Sequence, residues 1–186
     1  MMKKIVALLL ALLLLLPTMA MAEILEFDDF TLEIKDGDLY ELGTKAEGEI
    51  LFMLYPAYDP NATFYPNINC TWVNGSIVDT LKVNTPMELA ESFLSNTLKG
   101  YAQQGIAATN GKVVRAQASE EHGYMITYTT TDMDYSGLGV DLQCTLHQMQ
   151  AFMPLGGTGT YIFTFTAVSE DILAELAEYI DAITRK

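Results

Sequence analysis

The sequence predicts an α+β fold in which an antiparallel sheet, in meander order, is flanked by helices. Three observations lead to this class. Strand-like alternation dominates both halves of the chain, one strongly capped helix separates the halves, and a second helix follows the last strand. Because strands and helices do not alternate regularly, the order does not fit a doubly wound parallel sheet.

The first half of the chain is predicted to consist mainly of strands, because apolar residues alternate with polar ones or form a short continuous run. Pro56, Pro60 and Pro66 fall between two of these segments and predict an irregular loop, since proline lacks a backbone donor. The expected strands are 25–35, 39–42, 49–55 and 67–73.

A helix beginning at Thr85 is the clearest local signal. Thr85 provides an N-cap, Pro86 suits the first helical position, and Glu88 completes a capping box. Gly105 is expected to end this helix. Apolar residues recur at helical spacing and predict one buried face: Met87, Ala90, Phe93, Leu94, Leu98 and Tyr101.

The second half of the chain predicts four strands joined by short connections, as in an antiparallel meander. These strands are expected at 112–119, 123–131, 139–152 and 160–168. Ser169 then caps a final helix whose last turn is predicted to contain Arg185. The apolar stripe of this helix is predicted to be Ile172, Leu173, Leu176, Ile180 and Ile183.

The N-terminal residues 1–22 are typical of a cleavable secretory signal peptide. Lys3 and Lys4 precede an uncharged apolar run at 5–16, which is short for a membrane span of about 20 residues. Ala20 and Ala22 supply the small residues of a cleavage site, so the mature chain is expected to begin near Glu23. An uncleaved anchor is the alternative. Residues 23–186 are predicted to form one domain without a further span, exported in soluble form to the cell envelope or the exterior.

The charge balance excludes two classes of partner. The chain has 10 basic and 24 acidic residues, and its net charge is −14. Such a surface repels phosphate backbones and anionic lipid headgroups. Nucleic-acid binding and electrostatic attachment to membranes are therefore not expected.

Two cysteines, Cys70 and Cys144, permit a disulfide in an oxidising compartment. Each also lies on the apolar side of its predicted strand, and burial as separate thiols explains that placement equally well. Both alternatives remain open from the sequence.

A calcium site is predicted weakly at Asp132, Asp134 and Ser136, which place oxygen ligands at alternate positions before Gly137. The twelfth position is Gln143, where a calcium loop has a bidentate glutamate. A polar hairpin connection is the alternative. No other cofactor and no catalytic residue is predicted.

The proline-rich loop carries the best candidates for a partner-binding surface, because aromatic side chains give contact area at a low cost in conformational entropy. The alternative is that they fold back as a lid over the core. The candidates are Tyr55, Tyr58, Phe64 and Tyr65.

Several of these segments together resemble the PsbP-like superfamily, which includes the photosystem II protein PsbP, a nuclear Ran-binding protein and bacterial secreted proteins. The resemblance rests on residues 64–69 (Phe-Tyr-Pro-Asn-Ile-Asn), the capped helix, the meander, and residues 160–166 (Thr-Tyr-Ile-Phe-Thr-Phe-Thr) ahead of Ser169. It covers nearly all of residues 24–186. It implies an α/β/α sandwich around an antiparallel sheet and a role in binding or assembly, with no catalytic residue to carry over.

The first functional hypothesis is therefore an exported, non-enzymatic binding or assembly domain for a protein or small-ligand partner. One alternative is a small extracytoplasmic enzyme that uses carboxylates such as Asp132 and Asp134. Another is a carrier of a small apolar ligand held between sheet and helix.

Overall fold

A computed structural model describes residues 23–121, 123–156 and 158–186, so the predicted signal peptide lies outside the described residues. The chain forms two compact units. One contains the described residues up to Asp36 together with Ala182–Lys186, and the other contains Gly37–Asp181. Each unit has its own antiparallel sheet. The assignment of 23–186 to one domain stays a prediction.

The smaller unit is built around a three-stranded sheet of β1 (Glu23–Glu26), β2 (Phe30–Ile34) and β10 (Ile183–Arg185), with β2 between the other two. The Phe27 amide donates a 3.0 Å hydrogen bond to the Phe30 carbonyl, and the two rings stack with centroids 4.6 Å apart. The prediction of one continuous strand over 25–35 is therefore wrong, because the chain reverses at the polar pair Asp28-Asp29.

The larger unit contains a seven-stranded sheet among the described residues, in the order β3-β4-β5-β9-β8-β7-β6. Every neighbouring pair is antiparallel. The predicted meander is confirmed, since β6 to β9 follow one another through the sheet, and β3 and β6 are its edges. The strands are β3 (Leu39–Leu42), β4 (Ile50–Tyr55), β5 (Asn67–Asn74), β6 (Ala107–Ser119), β7 (Tyr124–Asp134), β8 (Gln143–Pro154) and β9 (Gly159–Ala167).

The capped helix is confirmed as α2 (Pro86–Gln103). The Thr85 hydroxyl accepts a 3.2 Å hydrogen bond from the Glu88 amide, while the Glu88 carboxylate accepts a 2.7 Å bond from the amide of Asn84. The helix ends before Gly105, which adopts a left-handed φ of +80°. A shorter helix, α1 (Ile77–Leu81), precedes it and was not predicted. No helix among the described residues is long and apolar enough to span a membrane.

Helix α2 packs on one face of the sheet. The Phe93 and Phe152 rings meet edge to face with centroids 5.3 Å apart, and Leu89 is fully buried in the same cluster as Phe152. The predicted helix face is displaced at its start, because Leu89 points inward while Met87 is 43 % exposed. On the central strands, side chains on the opposite face of the sheet are buried as well: Phe52, Leu54, Ile68, Phe163 and Phe165.

The final helix, α3 (Glu170–Ala177), begins at the predicted cap, where the Ser169 hydroxyl accepts a hydrogen bond from the Ile172 amide. It ends earlier than predicted and continues as a 3-10 turn at Glu178–Ile180. Ile183 and Arg185 lie in strand β10 and not in the helix. The prediction that Ile183 continues the apolar stripe of the helix is wrong. Ile183 is buried, but it pairs with Leu32 in a strand.

Candidate binding site

Three of the predicted partner-binding residues lie together at the end of β4 and in the loop that follows it. The rings of Tyr58 and Tyr65 stack, with centroids 5.0 Å apart and planes at 27°. Tyr55 meets both rings edge to face, at 6.4 Å from Tyr58 and 6.5 Å from Tyr65. The rings contact one another and so present one continuous aromatic surface, which we call the tyrosine cluster (Tyr55, Tyr58 and Tyr65).

Hydrogen bonds fix the loop that holds this cluster. Ala57 has a left-handed φ of +47°, and its amide donates a 3.3 Å bond to Asp38. The Asp59 carboxylate accepts bonds from the amide and the side chain of Asn61, at 2.9 and 3.1 Å. Where the loop enters β5, the Asn67 side chain donates to the Tyr65 carbonyl at 3.0 Å. The cluster is therefore held in place by bonds within its loop and by one bond to Asp38 outside it.

A cleft of about 330 Å³ separates the tyrosine cluster from the edge strand β3. Leu39, Tyr40 and Glu41 form its other wall. Strand pairing sets this wall, because Leu39 lies opposite Tyr55 in the β3–β4 register. The Leu39 side chain is 50 % exposed, so the cleft opens beside an accessible apolar surface. We call this site the tyrosine cleft.

The surroundings of two tyrosine hydroxyls in the cluster, those of Tyr55 and Tyr65, favour the protonated form. Burial, followed by the negative charge of Glu41, raises the pKa of Tyr55. A hydrogen bond with Tyr58 is the main cause that raises the pKa of Tyr65. Tyr55 and Tyr65 therefore offer neutral hydroxyl groups next to the Glu41 carboxylate, which suits hydrogen bonding and aromatic contact with a ligand.

Phe64, the fourth predicted partner-binding residue, is not part of this surface. Its ring packs against the buried cluster of Ile106, Met133 and Leu146. The loop thus does both things that the sequence left open, because one aromatic residue closes over the core and three form the surface.

The predicted calcium ligands Asp132 and Asp134 lie at the C-terminal end of strand β7, and not in the loop where the sequence analysis placed them. Ser136 begins a 3-10 turn after that strand. The two carboxylates share one face of β7 because strand residues repeat every second position. They line an open depression of about 460 Å³ together with Ala107, Thr109, Met133, Gln143, Cys144 and Thr145.

All four carboxylate oxygens in this depression accept hydrogen bonds. Asp132 accepts from Asn110 at 2.8 Å and from Thr145 at 2.7 Å. Asp134 accepts from the Ser136 amide at 2.8 Å and from Gln143 at 3.0 Å. These bonds lower the pKa of both carboxyl groups. Gln143, which occupies the twelfth loop position, is thus a donor to Asp134.

A calcium ion at this place would have to displace these donors. Within 23–121, 123–156 and 158–186, no three His, Cys, Asp or Glu side chains are grouped so that they could hold a metal ion. The hydrogen bonds fit the polar-connection alternative, and calcium binding stays a prediction.

The two cysteines are free thiols in the structure. Cys70 on β5 is aligned through Phe163 on β9 with Ala151 on β8, whereas Cys144 lies near the start of β8. Cys70 and Cys144 are separated by two strand spacings across the sheet and by seven residues along β8, so they lie about 25 Å apart. A disulfide requires Cα atoms within about 7 Å. A bridge, one of the two alternatives that the sequence left open, is therefore not formed in this fold, and Cys70 is a buried thiol.

A further concave surface lies between helix and sheet, where the carrier hypothesis places an apolar ligand, but its lining residues were not identified from the sequence. It is a groove of about 650 Å³ between helix α2 and the edge strand β6. The exposed Met87 and the half-buried Leu98 give a hint of it, since both lie at the edge of the predicted apolar face of the helix. Locating the groove requires the path of β6 along the helix, which periodicity does not give. Its lining residues are Met87, Glu91, Leu94, Ser95, Leu98, Lys99, Ala102, Gly111, Lys112 and Val113.

Comparisons with known proteins identify the fold. No protein-family model matches the sequence, and no curated protein matches it significantly. The solution structure of cyanobacterial PsbP (CyanoP) from Synechocystis superposes with a TM-score of 0.62 at 11 % identity, over 91 % of this chain and 95 % of that protein. The fold is therefore PsbP-like, as the resemblance implied.

Two further solved structures match with lower TM-scores. The yeast (Saccharomyces cerevisiae) Ran-binding protein Mog1p has a TM-score of 0.47 at 10 % identity, over 84 % of this chain and 82 % of that protein. LpqN of Mycobacterium tuberculosis, a protein involved in cell envelope biogenesis, has a TM-score of 0.44 at 11 % identity, over 91 % and 87 %.

Proposed function

We propose that this protein is an exported, non-enzymatic binding or assembly domain whose partner docks at the tyrosine cleft. The observation that carries the proposal is the contact of three tyrosine rings beside an accessible cleft at the sheet edge. Tyrosines dominate many binding interfaces because a rigid ring buries a large area while the hydroxyl remains available for a hydrogen bond.

The shape of the cleft supports the insertion of a partner side chain. Its volume of about 330 Å³ is at the lower end of the range for small-ligand sites. The stacked rings of Tyr58 and Tyr65 leave no space between them, so the partner contacts the outside of the cluster. The exposed Leu39 extends the apolar contact along β3.

The charge of the chain indicates which partners this cleft favours. Glu41 lines the cleft, Asp59 neighbours Tyr58 in the loop, and the whole chain has a net charge of −14. A basic or neutral protein segment is attracted to such a surface, while a nucleic-acid backbone is repelled. A lysine or arginine stem packing on a tyrosine ring with its charge near Glu41 fits this arrangement.

Export is part of the proposal and rests on residues 1–22, with their two lysines, apolar run and small residues before Glu23. The N-terminal sequence of the protein recovered outside the cytoplasm tests it. Processing after Ala22 supports export. An intact N-terminus on protein that stays in the cytoplasm contradicts it.

The partner is best sought by photocrosslinking in the cells that produce the protein. A photoreactive phenylalanine analogue at Tyr58 is expected to yield one discrete protein adduct, whereas the same analogue at the exposed Val140, outside the cleft, does not. The adduct is identified by mass spectrometry, and its affinity for the purified chain is then measured.

Matched variants decide whether the tyrosine cleft is the docking site. Tyr58→Ala and Leu39→Ala are each expected to weaken binding of the identified partner, Tyr58→Ala by about ten-fold or more. Leu138→Ala is the control, because Leu138 is 51 % exposed, as Leu39 is 50 % exposed, but lies outside the cleft. Equal affinities for all three variants would reject the site. Ester or peptide hydrolysis that disappears with Asp132→Ala would reject the non-enzymatic role.

A further inference from the structure

The groove between α2 and β6 is long and partly apolar. Its lining on α2 runs from Met87 to Ala102, which corresponds to about 22 Å of helix. Leu94 and Leu98 lie between these ends, and Val113 faces them from β6. This length matches about seven residues of extended chain at about 3.3 Å per residue.

The strand that borders the groove is an unusually accessible edge. β6 is 13 residues long and none of its residues is buried. Among the described residues it pairs with β7 alone in the sheet. An edge strand presents backbone donors and acceptors on its outer side, which form a template for a further strand.

Gly111 brings the edge strand close to the helix. A Cβ atom at this position would lie 2.9 Å from the Leu98 Cδ1, which is closer than carbon atoms normally approach. Gly111 therefore lets the backbone of β6 lie against the Leu98 side chain, and the two together form the floor of the groove.

The charge at the groove is opposite to that of the chain as a whole. Its lining contains Lys99 and Lys112 but only one acidic residue, Glu91. The whole chain, in contrast, has 24 acidic and 10 basic residues. Lys112 also lies near Asp132, where its charge contributes to lowering the pKa of that carboxyl group. Lys99 is exposed on α2 and lines the groove, as does Glu91 about two helical turns before it.

From these observations we infer that the groove binds an extended, acidic peptide segment of a partner protein, which adds a strand to the β6 edge and lays alternate apolar side chains against α2. Strand addition next to a helix supplies backbone hydrogen bonds for affinity and side-chain pockets for specificity. The two lysines select acidic residues at the solvent side of the segment. This site is separate from the tyrosine cleft and does not rest on it.

The same edge carries features that protect against self-association. The β6–β7 register shifts between Thr109 and Lys112 and again between Val113 and Arg115, and such bulges discourage unspecific pairing. Lys112 and Arg115 add charge to the edge. If the features of the β6 edge serve only to prevent self-association, no peptide should bind there. A binding measurement therefore distinguishes this protective role from the proposed binding role.

Peptide display against the full chain, expressed with its own leader and purified as processed, supplies the probe. Selection from random ten-residue peptides is expected to enrich sequences that alternate apolar residues with Asp or Glu. A fluorescein-labelled copy of the most enriched peptide is then used to measure the dissociation constant.

Neighbouring positions on α2 provide matched variants. Ser95→Trp fills the groove and is expected to weaken binding of this peptide by about ten-fold or more, while Asn96→Trp, adjacent but outside the groove, leaves it unchanged. Lys99→Glu is expected to weaken binding, whereas Lys82→Glu, which lies outside the groove, does not. Tyr58→Ala is expected to bind the peptide normally, which keeps this test independent of the tyrosine cleft.

Hydrogen exchange tests the strand addition itself. The bound peptide is expected to slow exchange of backbone amides in β6, because the outer edge becomes hydrogen-bonded. Peptide binding without protection of β6 would overturn the strand-addition proposal. Failure to enrich any acidic alternating peptide would overturn it too, as would dodecanoate binding that Ser95→Trp abolishes, since that result assigns the groove to a small apolar ligand.

Discussion

The hydroxyl of Tyr179 donates a 2.6 Å hydrogen bond to the Asp38 carboxylate, although the two residues are 141 positions apart in the chain. Asp38 is the second residue of the larger unit and Tyr179 lies in the 3-10 turn near its end. The other Asp38 oxygen accepts from the amide of Ala57, at the start of the proline-rich loop between β4 and β5. One carboxylate thus connects the beginning of the unit, its C-terminal turn and the loop that carries the candidate site.

A double-mutant cycle measures this connection. Tyr179→Phe and Asp38→Asn are each expected to lower the free energy of unfolding. The expected coupling is about 1 kcal/mol, because Tyr179 is buried while the half-buried Asp38 is partly screened by solvent. Urea denaturation of the two single variants and the double variant gives the coupling. A coupling of zero would show that the bond contributes nothing to folding.

The state of the two cysteines is the next prediction. Burial raises the pKa of both thiols, that of Cys70 far above its ordinary value. Because the two cysteines lie about 25 Å apart in the sheet, too far for a bridge, we expect two free thiols after denaturation without reductant. In the native protein a thiol reagent should modify the half-buried Cys144 first and leave Cys70 unmodified.

Intact mass spectrometry after alkylation checks both statements. Cys144→Ser is expected to remove the fast reaction and Cys70→Ala to leave it unchanged. A mass that corresponds to no alkylated thiol in denatured, unreduced protein would contradict the separation of the two strands.

Local signals predicted much of this fold. Thr85 and Ser169 each cap a helix through their own hydroxyl group, so the helix starts could be predicted without knowledge of the tertiary structure. The strands of the meander were predicted because apolar alternation and short connections act over a few residues. The starts and ends of several strands were displaced, since pairing in the sheet extends β7 as far as Asp134.

Features that depend on register could not be predicted. The wall of the tyrosine cleft exists because Leu39 pairs with Tyr55, and the groove exists because Gly111 approaches Leu98. Ile183 continues the apolar spacing of the last helix, yet it pairs with Leu32 in a strand. In each case a contact between distant residues decides the structure, and the sequence pattern is compatible with more than one such contact.

The hydrogen-bonded carboxylates of β7 predict a loss of stability in acid. Bonds from Asn110, and then from Thr145, hold the pKa of Asp132 below its ordinary value of 3.8. A carboxyl group with a lowered pKa stabilises the fold above about pH 4, and this contribution disappears as the pH falls through the lowered pKa. Urea midpoints measured from neutral pH down to about pH 3 are expected to fall less for Asp132→Asn than for the native chain.

Asp141→Asn is the control for this comparison. Asp141 is exposed, follows the 3-10 turn after β7, and forms none of the hydrogen bonds described for Asp132, so this variant should follow the native chain.

Calcium binding is tested on the same proteins. We expect about 1–10 mM calcium to leave the melting temperature unchanged, because all four carboxylate oxygens already accept hydrogen bonds. A calcium-dependent rise that Asp134→Asn removes would instead establish the metal site.

Two glycines are expected to respond to alanine in opposite directions. A Cβ atom on Gly159 would collide with Trp72 Nε1 and lie 3.0 Å from the Val73 carbonyl oxygen, which belongs to a paired strand and cannot move freely. Gly159→Ala should therefore lower the free energy of unfolding by about 1–3 kcal/mol. It should also shift the emission of Trp72, the one tryptophan of the chain.

Gly100 lies inside α2, and a Cβ atom there meets nothing within 4 Å. Gly100→Ala should raise the free energy of unfolding by about 0.4–1 kcal/mol, because alanine restricts the unfolded chain and favours the helix, and it should leave the Trp72 emission unchanged. Urea denaturation followed by far-UV circular dichroism measures both variants on one scale. Equal stabilities for the two variants would contradict the close approach of β9 to Trp72, because that contact is the reason for the expected loss at Gly159.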